Sequence, residues 1–328
     1  MLAVRRIKGS CVRKLLEQDA VAKIKDEDGK TALYWAAEVG HEDLIGYLLD
    51  SGALTNAIDC HGQTALILAV RRKQPYAVKT LLQKDADGKV ADNDEKTALH
   101  WAAELGHQDL VQLLLENKAP GEAQDRSGET PLHVAVEFGH PGVVKTLVEN
   151  EANVNAQASQ WYNMTPLMLA AWNNHVDILK LLVETGADVE LKDSAGESAL
   201  QYAARFDAPD ALQELINLDT NLESMNNHGR TPILSAIDAG NKTIVESLLN
   251  HGANIRGCDS NGLTALDRAN HRGDQGLISL VKEHLKLSFN RHNSFGDMRQ
   301  MGSELSEIRA QLSFPPTPRR RVPYAKEN

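Results

Sequence analysis

Apolar positions along this chain come as pairs of short runs. Leu33, Trp35, Ala36 and Ala37 form the first run, and beyond Gly40-His41 the residues Leu44, Leu48 and Leu49 form the second. Each run has the spacing of one helical face, and the Gly-His between them ends the first helix. Thr31 is placed as an N-cap, its hydroxyl accepting from backbone N–H groups two or three residues on. Ahead of it, Asp26-x-x-Gly29 reads as a turn in which the Asp side chain takes backbone N–H groups and Gly adopts positive φ. Ser51-Gly52-Ala53 closes the second helix with glycine at its C-terminal end.

The block then repeats. Its cap residue returns at Thr64, Thr97, Thr130, Thr165, Ser198, Thr231 and Thr264, in steps of 33 residues with a single step of 35. A period this regular predicts a stacked all-α array in which each unit touches only its neighbours, rather than one globular core. The units start at Asp26, Asp59, Asp92, Asp125, Ala158, Asp193, Asn226 and Asp259, so the array is read as 26–288. Residues 1–25 read as a degenerate capping unit, and 289–328 as a mostly disordered basic tail. Within the tail, Met298, Met301, Leu305, Ile308 and Leu312 mark one stripe of a short amphipathic helix over 298–312.

The residues carried at this period, typified by TPLHVA, GH and ANVNA between Asp125 and Gln157, resemble the ankyrin repeat. The resemblance covers Asp26 to Leu287. It implies a solenoid of helix pairs joined by short hairpin connections, with partner proteins recognised in a concave groove lined by turns and first-helix ends. The chain departs from the family pattern in several places. The closing glycine of the second helix is replaced by Asp85, Lys118, Glu151 and Asp219, and the Gly-His break by Lys73-Gln74 and Asp207-Ala208. A non-glycine residue at positive φ costs about 1 kcal/mol, so these units should be the less stable ones. Unit five carries two extra residues in its turn, ASQWYNM, and insertions in such arrays map to one face.

Composition changes the picture only at the edges. Apolar residues make up 42% of the chain, enough for a core, and aromatics only 5%, so the helices are built on Ala and Leu. The net charge is −10; residues 289–328 hold seven bases and four acids, leaving −13 on the body. An acidic body argues against non-specific nucleic-acid binding, which needs Lys and Arg on phosphates. Cys11, Cys60 and Cys258 are far apart and read as free thiols of a reducing compartment. No apolar run is long enough to span a bilayer, and the charged start MLAVRRIKGS does not resemble a secretory signal. The chain is therefore expected in the cytoplasm, or in the nucleus through the basic Arg319-Arg320-Arg321, as a monomer.

No enzyme chemistry, metal or cofactor is expected. The twelve histidines have no zinc spacing, and there is no GxSxG, no P-loop and no GxGxxG after a strand. His41, His107, His140 and His175 fall in inter-helix loops, while His100 and His133 are placed to bond the backbone of the adjacent unit. Trp35 and Trp101 occupy a first-helix position filled elsewhere by Leu68, Val134, Leu169 and Tyr202, and read as core.

The candidate binding surface lies at the first-helix ends and turns of units three to six. Phe138, Trp172 and Phe206 fall in successive units on one stripe, with Asn173 and Arg205 beside them. The inserted turn adds Trp161 and Tyr162, and Glu104 and Glu137 make the N-terminal side acidic. Exposed aromatics grouped with arginine have the composition of an interface hot spot. The structural alternative is that they pack locally against the inserted turn. In the tail, Thr317 resembles a proline-directed phosphosite, Ser294 a basophilic kinase site and Lys326-Glu327-Asn328 a degron, all short motifs. The leading function is a non-enzymatic scaffold that binds another protein. Its rivals are an adaptor recruiting a ubiquitin ligase or kinase through the tail, and a fragment of a larger ankyrin-bearing receptor or channel.

Overall fold

The computed structural model describes residues 22–160 and 162–293, with side chains described up to residue 287. Residues 1–21 of the capping unit read into 1–25, Trp161, and everything read into 294–328, including the 298–312 helix, Ser294 and Thr317, lie outside the described residues.

The array is the all-α solenoid that the period predicts. Its first helices are α1 (Ala32–Glu38), α3 (Ala65–Arg71), α5 (Ala98–Glu104), α7 (Pro131–Glu137), α9 (Pro166–Trp172), α11 (Ala199–Arg205), α13 (Pro232–Ala239) and α15 (Ala265–Arg272). Its second helices are α2 (Glu42–Asp50), α4 (Pro75–Gln83), α6 (Gln108–Glu116), α8 (Pro141–Glu149), α10 (Val176–Glu184), α12 (Pro209–Asn217), α14 (Lys242–Asn250) and α16 (Gln275–Asn293). Each first helix packs on the next first helix, and each second helix on the next second helix. Among the described residues, extended pairing is limited to isolated bridges such as Ala91 with Thr97 and Ala158 with Met164.

First helices only two turns long would be marginal in isolation. They hold because their inner faces are dry and their ends are capped, except that the Thr231 hydroxyl at the start of α13 is buried without a partner. Thr31 Oγ1 accepts from Tyr34 N at 3.3 Å and Thr64 Oγ1 from Ile67 N at 3.2 Å. The small residue at the packing face, Ala36, Ala69, Ala102, Ala135, Ala170, Ala203, Ala236 or Ala269, is fully buried in every unit. Alanine there brings neighbouring first helices close while adding no side-chain entropy cost. Leu44, Ile45 and Leu48, with their equivalents in later units, bury the opposite side of the core.

The turns are built the same way from unit to unit. Asp92 Oδ1 accepts from Asp94 N and Lys96 N, both at 3.0 Å, and Asp125, Asp193, Asn226 and Asp259 repeat the pattern. Adjacent turns are joined by backbone bonds such as Arg126 N to Asp94 O at 3.0 Å. Unit five begins with Ala158 and has no such acceptor. Its two extra residues are absorbed by left-handed backbone at Tyr162 and Asn163, φ +53° and +59°, and Ser194 N still donates to Tyr162 O at 2.7 Å.

The expected departures are accommodated in the backbone. Asp85, Lys118, Glu151 and Asp219 adopt φ of +59°, +62°, +67° and +55°, where Gly186 elsewhere sits at +100°. Lys73 and Asp207, which replace the break glycine, also turn left-handed at +52° and +57°, so the helix pair keeps its geometry. Lys118→Gly and Glu151→Gly are each expected to stabilise the array by about 0.5–1 kcal/mol. Urea denaturation of the two variants checks this, and a loss of stability in both would contradict it.

Candidate binding surface

The positions of interest follow from the register. The residue just before each N-cap and the residue eight positions on, at or next to the end of the first helix, face each other, and in several units they form an ion pair. Lys96 Nζ lies 2.6 Å from Glu104 Oε2, Arg205 Nη1 3.0 Å from Glu197 Oε2, and Arg230 Nη1 3.4 Å from Asp238 Oδ2. In unit five the same two positions are apolar, Met164 and Trp172. In unit four both are acids, Glu129 and Glu137.

The aromatic group forms around Trp172. Its ring stacks on Phe206 at 4.7 Å between centroids and on Tyr202 at 6.0 Å, and Tyr202 stacks on Phe206 at 5.9 Å. Arg205 lies over the Phe206 ring at 5.2 Å. Phe206 is 39% exposed and Trp172 half-buried against the core, so the stack is anchored inside and open at its outer edge. Phe138 is 49% exposed at the helix-end position that Phe206 occupies two units on, and does not join the stack. Between them stands Asn173, whose amide donates to Leu169 O at 3.1 Å within its own helix. Tyr162 projects from the inserted turn, 69% exposed. The structure thus brings together Trp172, Arg205 and Phe206, adds Tyr202, and leaves Phe138 and Tyr162 as separate exposed side chains.

Tyr202 was legible only as core. Its ring is buried, yet its hydroxyl donates to Asp193 Oδ2 at 2.8 Å, and burial together with that bond pushes the phenol pKa up. Trp35 and Trp101, expected as core, are half-buried instead. The reason is the indole N–H, which needs a polar partner. Trp101 Nε1 donates to Asp92 Oδ2 at 2.8 Å and Trp35 Nε1 to Asp26 Oδ2 at 3.2 Å, which holds each ring against the turn. Arg71 covers the Trp101 ring at 4.2 Å, a cation–π contact.

His100 and His133 tie neighbouring units together. His100 and His133 accept on Nδ1 from the backbone N–H of Thr97 and Thr130, at 3.1 and 3.2 Å. Their Nε2–H groups donate to Glu129 O and Met164 O, each at 3.1 Å, bolting one unit to the next. Burial lowers both pKa values, that of His133 to about 4, which keeps the neutral ring this bonding requires.

Unit four is the electrostatic exception. Burial pushes the Glu129 carboxyl up to about 7 from its ordinary 4.5; Glu137, Asp125 and Glu104 add to the rise and Lys96 opposes it. Glu137 is raised too, first by burial. The folded state therefore prefers Glu129 protonated. Its contribution to stability is full below the unfolded value of 4.5 and falls away as pH rises toward about 7. Glu129→Gln is expected to stabilise the array by on the order of 1 kcal/mol or more at pH 8 and by almost nothing at pH 4. Urea midpoints at the two pH values check the sign.

Among the described residues no group of three or more His, Cys, Asp or Glu is arranged to hold a metal ion, and no helix is long and apolar enough to cross a membrane.

A family model described as ankyrin repeats (3 copies) matches residues 1–92, 78–158, 123–193, 157–226 and 200–292. The chain belongs to the ankyrin repeat family. Among solved structures it is similar to the ankyrin repeat domain of Bcl-3, described as a unique member of the IkappaB protein family. The two share 28% identity at a TM-score of 0.62, over 68% of this chain and all of that one. It also matches the human ASB11 ankyrin repeat domain at 22% identity and a TM-score of 0.61, over 68% of this chain and 98% of that one; at this identity the likeness concerns the fold. No curated protein sequence matches the chain. Ankyrin repeats are in general protein-interaction modules, and the ankyrin array described here presents its aromatic stack and its acid pair on the face made by turns and first helices.

Proposed function

We propose that this ankyrin array is a non-enzymatic, monomeric scaffold that binds another protein across the groove of units three to six. The observation that carries the reading is the stack of Trp172 and Phe206 at 4.7 Å, held against the core on one side and open on the other. Large aromatic side chains fixed in this way lose little entropy on binding, which is why they anchor interfaces. Arg205 beside the stack supplies a planar donor. Phe138, Tyr162 and Asn173 extend the surface, and Glu104 and Glu137 make its N-terminal side acidic. Trp161 belongs to the inserted turn above it by sequence.

Affinity purification of the full chain, in parallel with Trp172→Ala and Phe206→Ala, tests the reading. Proteins held by the wild type and lost from both variants support it. A set of captured proteins unchanged in both variants would move the interface elsewhere.

A further inference from the structure

Glu129 is a buried acid to which the fold supplies no side-chain donor. Its backbone is fixed: the N–H donates to Asp125 Oδ1 at 3.0 Å, and the carbonyl accepts from Asp125 N at 3.0 Å and from His100 Nε2 at 3.1 Å. The residue is only 6% exposed, and no described side chain donates a hydrogen bond to its carboxylate, whose oxygens are left to what solvent still reaches them. A carboxylate so largely removed from water and without a protein donor is costly, and it is open to a donor arriving from outside.

Unit six shows what an answered carboxylate looks like. Glu197 occupies the same register position and is equally buried, 6% exposed. Its Oε2 meets Arg205 Nη1 at 3.0 Å and its Oε1 accepts from Asn226 Nδ2 at 3.1 Å. In unit four the counterpart of Arg205 is Glu137 and the counterpart of Asn226 is Ala158. Both donors are missing together, and the helix-end position holds a second acid. The nearby cation, Lys96, is already engaged by Glu104 at 2.6 Å. Burial and like charge at Glu129 act in the same direction, raising its proton affinity. The next unit along offers Met164 and Trp172 in the same two positions, so the acid pair borders the aromatic stack.

We propose that the Glu129–Glu137 pair receives an arginine side chain of the bound protein, entering where Arg205 stands in unit six, while a neighbouring apolar side chain of the same segment covers Trp172 and Phe206. A guanidinium fits because it donates in a planar fork to two carboxylates at once and is weakly hydrated. Neighbouring units stand about 8–10 Å apart, the usual helix-packing distance, which a polyproline II peptide spans in about three residues, one full turn that returns its side chain to the same face. The favoured ligand therefore carries arginine and a large apolar residue three positions apart in a polyproline II segment. The assignment rests on the reading of the groove as a protein-binding surface.

A selection separates the two claims. Random seven-residue peptides displayed on phage are panned against the immobilised full-length chain, then against Glu137→Arg, Glu129→Gln and Trp172→Ala. Glu137→Arg supplies the missing cation from within and Glu129→Gln removes the buried charge, so both variants are expected to fold with raised stability. Wild type should enrich arginine with an aromatic or leucine three positions away. A synthetic peptide of that kind should bind both acid-pair variants at least about tenfold more weakly, with its Arg→Gln analogue indifferent to the change. Peptides that lose affinity for Trp172→Ala but bind the acid-pair variants as well as wild type would overturn the arginine site and leave the groove standing. Peptides indifferent to all three variants, or no enrichment at all, would overturn both. Peptide binding to the wild-type chain that strengthens at least about tenfold once its own Arg319, Arg320 and Arg321 are charge-reversed would overturn the external ligand in favour of the tail.

Discussion

Replacing Arg268 with alanine is expected to unfold the last unit well before the rest of the array. Arg268 stands at the first-helix position held by Trp101 and Tyr202 in other units, and like them it reaches the turn residue nine positions back. Its guanidinium joins two carboxylates, that of Asp259, whose side chain is fully buried, and that of Asp238 in the preceding unit. Burial would raise the Asp259 carboxyl, but the backbone N–H groups of Leu263 and Asn261 and the Arg268 guanidinium outweigh it and hold the pKa below the ordinary value. Its stabilising contribution is therefore present above the unfolded pKa and lost only as pH falls through the lowered folded value. Truncating the cation leaves Asp259 buried without a counter-charge, at a cost of about 3–5 kcal/mol. The loss should stay local, because a terminal unit has one neighbour to lean on.

Hydrogen exchange reads this directly. Amides of α15 and α16 should lose protection in Arg268→Ala, while those of α5 to α10 keep theirs. Unit seven supplies the control, since it carries Asn226 in the turn and Ser235 on the helix, with Asn226 Oδ1 still accepting from His228 N at 2.9 Å and Arg230 N at 3.0 Å. The double change Asp259→Asn with Arg268→Ser copies that pair and should recover more than half of the loss. Asp238 would retain Arg230 at 3.4 Å. A uniform loss of protection along the whole array, or no recovery in the double variant, would contradict the local account.

Trp172→Ala should weaken binding of whichever protein the wild-type chain captures by about 2 kcal/mol or more, roughly thirtyfold, as truncation of an interface anchor does. Phe206→Ala should behave similarly because the two rings share one face. Phe138→Ala should cost less, since its ring stands outside the stack. Stability should fall less than the 3–5 kcal/mol or so typical of a fully buried aromatic, because Trp172 is only half-buried. Titration of the captured partner and urea melts on the same samples give both numbers. An array that melts in Trp172→Ala while its folded fraction binds normally would return Trp172 to the core.

Much of this molecule can be read from the chain because a repeat gives every residue an address. The caps at Thr31 to Thr264, the Asp turns and the left-handed closures at Asp85, Lys118, Glu151 and Asp219 all depend on bonds within a few residues. Local rules of φ and hydrogen bonding were enough to place them. The small-residue stripe along the first helices was legible for the same reason, since an alanine at a fixed step has one packing consequence in every unit.

Contacts between side chains of different addresses were not legible in that way. Trp35 and Trp101 share a position with Leu68 and Leu169, yet their N–H groups draw them to the turn aspartates and leave them half-buried. Phe138, Trp172 and Phe206 looked alike on the stripe, but only the last two stack, directly on each other with Tyr202 beside both; Trp172 lies one residue earlier in its helix than the phenylalanines do in theirs. The sequence shows that Glu129 and Glu137 are eight apart. Tertiary structure decides that this spacing is an ion-pair position, that Ala158 withholds the second donor, and that the residue is buried with neither. The period determined where each side chain starts; burial, ring size and the residues of the next unit decided what it meets.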